Sequence, residues 1–338
     1  MTLRERVLKT LAHEQPDICP WHISFTIPAR EKLTAYLGVE ELERAVGNHF
    51  AKIEAVPDDG WREIRPDFWQ DEFGVVWDRT LDKDIGNVDH SALVLPEPDL
   101  GGLTLPDPLD PRRYEHHEEF CSRNRDLFRV NDFGFTLFER AWTLRGMENL
   151  FIDMVERPGF VHELLDRILE FNLKIVDGVS RFAVDAILFG DDWGQQRGLI
   201  MGPYFWREFF KPRAAQAYKR CHEKGMYVMI HSCGDVSSIM GDLVEIGVDV
   251  FNPFQPEVMD IEGIKREFGD LLAFFGGMST QKTLPYATPD EVKTQTAWLI
   301  EKIGAGGGYI FSPAHDVPKD VPPENMAAML EVLKNQQA

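Results

Sequence analysis

His231-Ser232-Cys233-Gly234-Asp235 and Ser312-Pro313-Ala314-His315-Asp316 are the two stretches of this 338-residue sequence best suited to chemistry. Each follows a short apolar run, Met226 to Ile230 and Tyr309 to Phe311. In parallel sheets and barrels, the residues at the C-terminal ends of strands carry the reacting groups. Residues i and i+2 of extended backbone project to the same side, so His231 and Cys233 can address one point. A sulfur and an imidazole converging there suit zinc, and His315, from a distant strand, is the candidate third ligand. Taken alone, a His-x-Cys pair is better explained as a buried thiol beside a packed histidine, and it is the position at a strand end that favours a metal. Asp235 opens a segment in which Val236, Ile239, Met240, Leu243 and Val244 follow the helical period. That places Cys233 near a helix N-terminus, where a thiolate is favoured.

Asp191-Asp192-Trp193-Gly194-Gln195-Gln196 directly follows another strand-like run, Val184 to Phe189. Neighbouring side chains point different ways, so one of Asp191 and Asp192 is expected to face a substrate, orienting it or managing a proton. For either aspartate alone, a helix cap or a solvated turn is as good an explanation. His22, at the end of the first strand candidate, joins Trp193 and Gln195 as a candidate substrate-binding residue. Glu139-Arg140, a few residues past the strand at Leu127 to Asn131, could line the same pocket but reads better as a helix start with a surface ion pair. His116-His117, in the acidic loop Glu115 to Glu119, reads as solvent-facing.

The elements that must position these groups follow a βα alternation from residue 115 to 335. Strands are expected at Leu127 to Asn131, Val184 to Phe189, Met226 to Ile230, Val248 to Phe251, Leu271 to Phe275 and Gly308 to Phe311. Pro158 opens a helix carrying Phe160, Leu164, Leu165, Ile168 and Leu169, and Thr288-Pro289-Asp290-Glu291 is a capping box with proline at its first helical position. The N-terminal part, 1–114, predicts a helix over 2–12, a strand from Cys19 to Phe25, two short helices between Ala29 and Val46, and an irregular aromatic stretch after Trp61. Five prolines between 96 and 111 exclude regular structure there. The strand count approaches the eight of a closed (β/α)8 barrel, organised as one domain over 1–338. Gly304 to Gly308 follows a helix and precedes a strand, the reverse of a dinucleotide fingerprint, and reads as an αβ turn.

Composition narrows the function classes. Thirty-six Lys and Arg stand against 56 Asp and Glu, a formal charge of −20, which argues against nucleic acid or anionic membrane as partner. No apolar run reaches membrane-spanning length and the start lacks a signal-peptide core, so a cytoplasmic protein is expected. Cys19, Cys121, Cys221 and Cys233 are scattered, which argues for reduced thiols rather than a disulfide framework. A homodimer is allowed by the sequence and not specified by it.

Arg4-Glu5-Arg6-Val7-Leu8 through Pro16-Asp17, Asp71-Glu72-Phe73-Gly74-Val75-Val76-Trp77 and the tail from Gly225 to Asn325 resemble the uroporphyrinogen decarboxylase superfamily. The tail is the most specific part, with Gly276-Gly277-Met278-Ser279-Thr280 and Pro313-Ala314-His315-Asp316-Val317 in family order. The resemblance implies a distorted (β/α)8 barrel and one of two activities. True decarboxylases carry an Arg-Gln-Ala-Gly-Arg motif after the first strand to hold the substrate's propionates; this sequence reads Trp21-His22-Ile23-Ser24-Phe25-Thr26 there. Zinc-dependent methyltransferases that work with corrinoid proteins carry His-x-Cys and a further tail cysteine as metal ligands. His231 and Cys233 match that pair, and His315 stands where the tail cysteine would be. The resemblance therefore implies transfer of a methyl group between a small methylated substrate, an O-methyl compound in the first instance, and a corrinoid. That corrinoid would be held on a separate protein, since this chain has no Asp-x-His-x-x-Gly sequence. The alternatives are a decarboxylase of a tetrapyrrole or other aromatic carboxylate and a noncatalytic small-molecule-binding barrel.

Overall fold

The computed structural model describes residues 1–81, 83 and 86–337. The first helix, α1 (Leu3–Leu11), is closed by a capping box between Thr2 and Glu5; α2 (Ile27–Leu37) and α3 (Leu42–Val46) follow. Strand β1 (Phe50–Glu54) then leads into four short strands, β2 (Trp61–Arg65), β3 (Phe68–Asp71), β4 (Val76–Asp78) and β5 (Asn87–Val88), paired antiparallel. The stretch after Trp61 is thus a meander and not irregular chain. Its tightest turn is organised by Asp71, whose carboxylate accepts from the Phe73 and Val75 amides at 3.0 and 2.9 Å. This gives the Asp71-to-Trp77 run a local structural meaning that alternation alone could not show.

Beyond the loop over 96–111 come α4 (His117–Arg123), β6 (Phe128–Phe133), α5 (Phe138–Arg145), α6 (Met147–Glu156) and α7 (Pro158–Val179). The remaining strands are β7 (Ala186–Gly190), the small hairpin β8 (Gly194–Gln195) and β9 (Gly198–Leu199), β10 (Tyr227–His231), β11 (Val250–Phe254), β12 (Ala273–Met278) and β13 (Tyr309–Pro313). Seven of them form one parallel sheet in the order β1-β6-β7-β10-β11-β12-β13. The segment around Trp21 fills the eighth position. Trp21 bridges Phe311 in parallel on one side, and its carbonyl accepts from the His49 amide at 2.9 Å on the other. The expected strand from Cys19 to Phe25 is therefore reduced to single bridges at Trp21 and Phe25. The fold is a distorted (β/α)8 barrel.

The six later strands each begin and end one to three residues beyond the apolar runs that predict them, and glycine and polar residues past those runs, such as Gly190, His231, Asn252, Gly277 and Ser312, still pair in the ladder. Alternation then sorts the side chains. Phe50, Phe128, Val130, Ala186, Leu188, Met229, Val250, Ala273, Phe275 and Ile310 fill the barrel, with Val7 and Leu11 of α1 closing one end. Ile187, Phe189, Val228, Ile230, Phe251 and Phe274 pack outward with the helices. Extending the inward set by two residues past Met229 and Val250 brings His231 and Asn252 to the opposite end.

Candidate metal centre at the barrel mouth

His231 is the last residue of β10, Cys233 lies two residues on, and His315 follows β13. Their ligand atoms all lie within 4.8 Å of one another, with Cys233 Sγ 3.4 Å from His231 Nε2. His231 Nδ1 lies 2.6 Å from Asn252 Oδ1, and Asn252 Nδ2 donates to the Phe275 carbonyl at 2.9 Å. A carbonyl can only accept, so the amide nitrogen must face Phe275 and its oxygen must face His231. This fixes the proton on Nδ1 and leaves the Nε2 lone pair facing Cys233, able to accept from the thiol or to bind a metal, the arrangement metal-binding histidines need. Crowding, and then His231, lower the His315 pKa although the residue keeps an open face to the mouth.

Cys233 is held from both sides. Its amide donates to Asp192 Oδ1 at 2.8 Å, and the next amide, Gly234, donates to Gln255 Oε1 at 3.1 Å. Gly234, at φ +84°, presses against Gly194; a Cβ on either would meet backbone atoms at 2.3 to 2.4 Å. No helix starts at Asp235. The first helical turn is Ser237–Ile239, followed by Met240–Glu245. Without that dipole, burial and the carboxylates of Asp192 and Glu139 push the thiol pKa up, opposite to the thiolate expected from a helix N-terminus. A metal binding here would displace the proton.

A cavity of about 440 Å³ at the mouth is lined by His231, His315, Asn252, Asp192, Glu139 and Phe275, among others. A neighbouring one of about 370 Å³ lies across Cys233 and His315 and includes Gln195. The two aspartates divide as adjacent residues should. Asp192 faces the mouth, with Oδ1 3.7 Å from His231 Nε2. Asp191 is buried away from it, accepting from the Leu137, Phe138 and Glu139 amides and from Trp193 Nε1, so it caps α5; burial raises its pKa to about 6. Trp193 is fully buried against Trp206. His22 lies inside the barrel, stacked on Phe50 and edge-on to the cavity residue Phe275; burial holds its pKa well below the usual histidine value. Asp191, Trp193 and His22 therefore lack contact with the mouth cavity.

Three assignments change with the tertiary structure. Glu139 is no surface residue: it lines the cavity, and burial, then Asp192 and Asp191, raise its pKa well above the usual carboxylate value. Arg140 is buried and pairs with Asp71 at 2.9 Å rather than with Glu139. His117 is fully buried, 3.1 Å from Asn131 Oδ1, while only His116 faces solvent. The sequence signal for Glu139 is its place a few residues past the strand at Leu127 to Asn131; the burial and the aspartates around it come from β7 and the loop after it. All four cysteines are free thiols, and no helix among the described residues is long and apolar enough to cross a membrane.

The fold and the sequence have relatives. A methyltransferase from Methanosarcina mazei has a similar fold, with a TM-score of 0.75 at 17% identity over 99% of this chain and 98% of that one. Uroporphyrinogen decarboxylases of Hydrogenovibrio crunogenus and Chlorobaculum tepidum are 22% and 26% identical, over 53% and 55% of this chain and 49% and 52% of theirs. The chain thus spans about half the length of these curated relatives. The family model for uroporphyrinogen decarboxylase (URO-D) matches residues 134–336, which carry β7, β10 and β13 with every residue of the candidate metal centre. By that match over more than half its length, the chain belongs to the uroporphyrinogen decarboxylase family.

Proposed function

We propose that the protein is a methyltransferase that moves a methyl group between a small methylated substrate, an O-methyl compound in the first instance, and a corrinoid on a separate protein. Zinc would be held by His231, Cys233 and His315. The observation that carries this reading is the convergence of one sulfur and two imidazoles within 4.8 Å at an open cavity. The donors suit the ion: one soft and two borderline ligands fit zinc, and Asn252 keeps His231 in the ligating tautomer. Bound there, zinc supplies Lewis-acid polarisation of the substrate heteroatom.

The chain's own residues supply the rest. The cavity of about 440 Å³ has the size of a small-molecule site, with Phe135 and Phe275 as apolar wall. Asp192 orients the substrate beside the ligands. Glu139, whose pKa burial and then Asp192 and Asp191 raise well above the usual carboxylate value, would supply the proton that the departing heteroatom accepts as its methyl group leaves.

The second reading, decarboxylation of a tetrapyrrole or another aromatic carboxylate, is favoured by the curated relatives. The Trp21-to-Thr26 segment offers no arginine to a polycarboxylate. The test mixes zinc-loaded protein with a reduced corrinoid and a panel of methyl ethers and N-methyl compounds, and follows the visible spectrum as the methyl–cobalt bond forms. Transfer from at least one donor, lost in Cys233→Ser, is expected. Silence across the panel together with turnover of uroporphyrinogen would return the protein to the decarboxylases.

A further inference from the structure

Two cavities meet at His315 and Asp316, and their chemistry differs. The larger, of about 440 Å³, is charged: Lys52, Asp132, Glu139, Asp192 and Asp316 all line it. In the smaller, of about 370 Å³, Asp316 is the one acid, it already accepts from the Ser24 hydroxyl, and no lysine or arginine is among the lining residues. The rest of the polar wall is carboxamide and hydroxyl. Gln195 and Gln196 come from the β8–β9 hairpin, Gln255 follows β11, and Thr280 and Gln281 follow β12.

Gln255 indicates what this wall lacks. The residue is only 6% exposed, and its Oε1 accepts from the Gly234 amide at 3.1 Å. A backbone N–H can only donate, so the amide oxygen must face Gly234 and the two N–H donors of Nε2 must turn the other way. They meet no acceptor among the described residues. A largely buried amide with unpaired donors is costly, and an acceptor carried by a ligand relieves it. The exposed carboxamides of Gln195, Gln196 and Gln281 are likewise without partners among the described residues.

Such a wall selects by charge. A carboxylate would meet Asp316 with no side-chain cation to offset it, and an ammonium group would set its donors against those of Gln255. An uncharged carboxamide matches both ends, giving its oxygen to Gln255 Nε2 and its N–H groups to the oxygens of the exposed glutamines.

We propose that the smaller cavity seats an uncharged carboxamide, and that in methyl transfer this is an amide arm of the corrinoid while the methylated substrate occupies the larger cavity. A corrin ring carries acetamide and propionamide arms around its rim. One arm inserted here holds the ring across the mouth, with His315 and Asp316 as the wall common to both reactants. The attribution to the corrinoid rests on the methyl-transfer reading; recognition of the amide does not.

The test titrates the full-length protein, zinc-loaded and chelator-treated, with propionamide and propionate, read by ligand-detected nuclear magnetic resonance, and with cyanocobalamin, read by equilibrium dialysis. Propionamide should bind saturably with and without metal. Propionate should bind the chelated protein at least roughly tenfold more weakly, because it brings a charge and has no N–H donors. Gln255→Glu keeps an acceptor for the Gly234 amide and removes the two donors; it should weaken propionamide roughly tenfold and retain zinc. Gln281→Leu, at an exposed position, should weaken it about fivefold, the loss of one net hydrogen bond. Cyanocobalamin should bind and be displaced by propionamide. No saturation at hundreds of millimolar propionamide, equal affinity for propionate on the chelated protein, or unaltered binding in both variants would overturn the proposal. So would loss of propionamide binding on chelation, because the amide oxygen would then sit on the metal. Propionamide binding for which cyanocobalamin does not compete would give the seat to a free amide and remove the corrinoid from it. Methyl transfer to a corrinoid by a protein that binds no propionamide would sink the seat and spare the reaction.

Discussion

Asn252 Oδ1 takes the Nδ1 proton of His231 at 2.6 Å while its amide nitrogen is spent on the Phe275 carbonyl. Three successive strands of the barrel, β10, β11 and β12, thus fix one imidazole tautomer. Asn252→Ala is expected to lower metal affinity roughly 10- to 100-fold with little change in fold, while Asn252→Asp, which keeps the acceptor, should retain most of it. Competition with a zinc chelator measures both, and equal affinities in all three proteins would remove Asn252 from the centre.

Purified protein should hold about one equivalent of zinc. X-ray absorption should show one sulfur at roughly 2.3 Å and two imidazole nitrogens at roughly 2.0 to 2.1 Å. Cys233→Ser should lose most of the metal, and chelation should empty the site without unfolding a barrel whose hydrophobic core is built independently of it. A sulfur-free metal shell would contradict the ligand set.

Gly234→Ala tests how Cys233 is placed. Its Cβ would lie 2.3 Å from the Gly194 backbone, at a φ of +84°. The two loops must separate, and metal content should fall even though no ligand is changed. An alanine variant with full metal occupancy would show that the contact is dispensable.

Glu139→Gln keeps the size of the side chain and removes its proton. Wild-type turnover should decline as rising pH deprotonates Glu139, whose pKa burial and two aspartates hold well above the ordinary carboxylate value. The variant should be slow at all pH values, lack that decline and retain its metal. An unaltered pH profile would exclude the role.

His49 ties acid stability to barrel closure, since its amide bonds the Trp21 carbonyl. Burial, and then Arg6, lower its pKa from 6.5 to about 4. The unfolded chain takes up the proton first, so this contribution is complete above pH ~6.5 and is lost as pH falls from about 6.5 to about 4, by about 3 kcal/mol. His22, lowered in the same direction, adds to the trend. Urea unfolding at pH 7 and pH 5 should show the loss, reduced in His49→Gln; a flat profile would place the protonated ring in a solvated position.

The sequence by itself determined what local pattern can encode. Six parallel strands, the helix opened by Pro158, the Thr288–Glu291 capping box and the i, i+2 approach of His231 to Cys233 all follow from backbone periodicity. So did the expectation that only one of Asp191 and Asp192 would face the mouth. Which one was decided by α5, whose N-terminal amides capture Asp191 and leave Asp192 to the cavity. Only the closed barrel could reveal β1, short and paired far along the chain with β6, or the meander, whose turn depends on a buried carboxylate shared with Arg140. The same holds for Asn252, Glu139 and the glutamine-lined cavity. Their environments are made by strands and helices distant in sequence: a strand end marks a candidate for the mouth, but no pattern within a single segment records the partners its side chain will meet there.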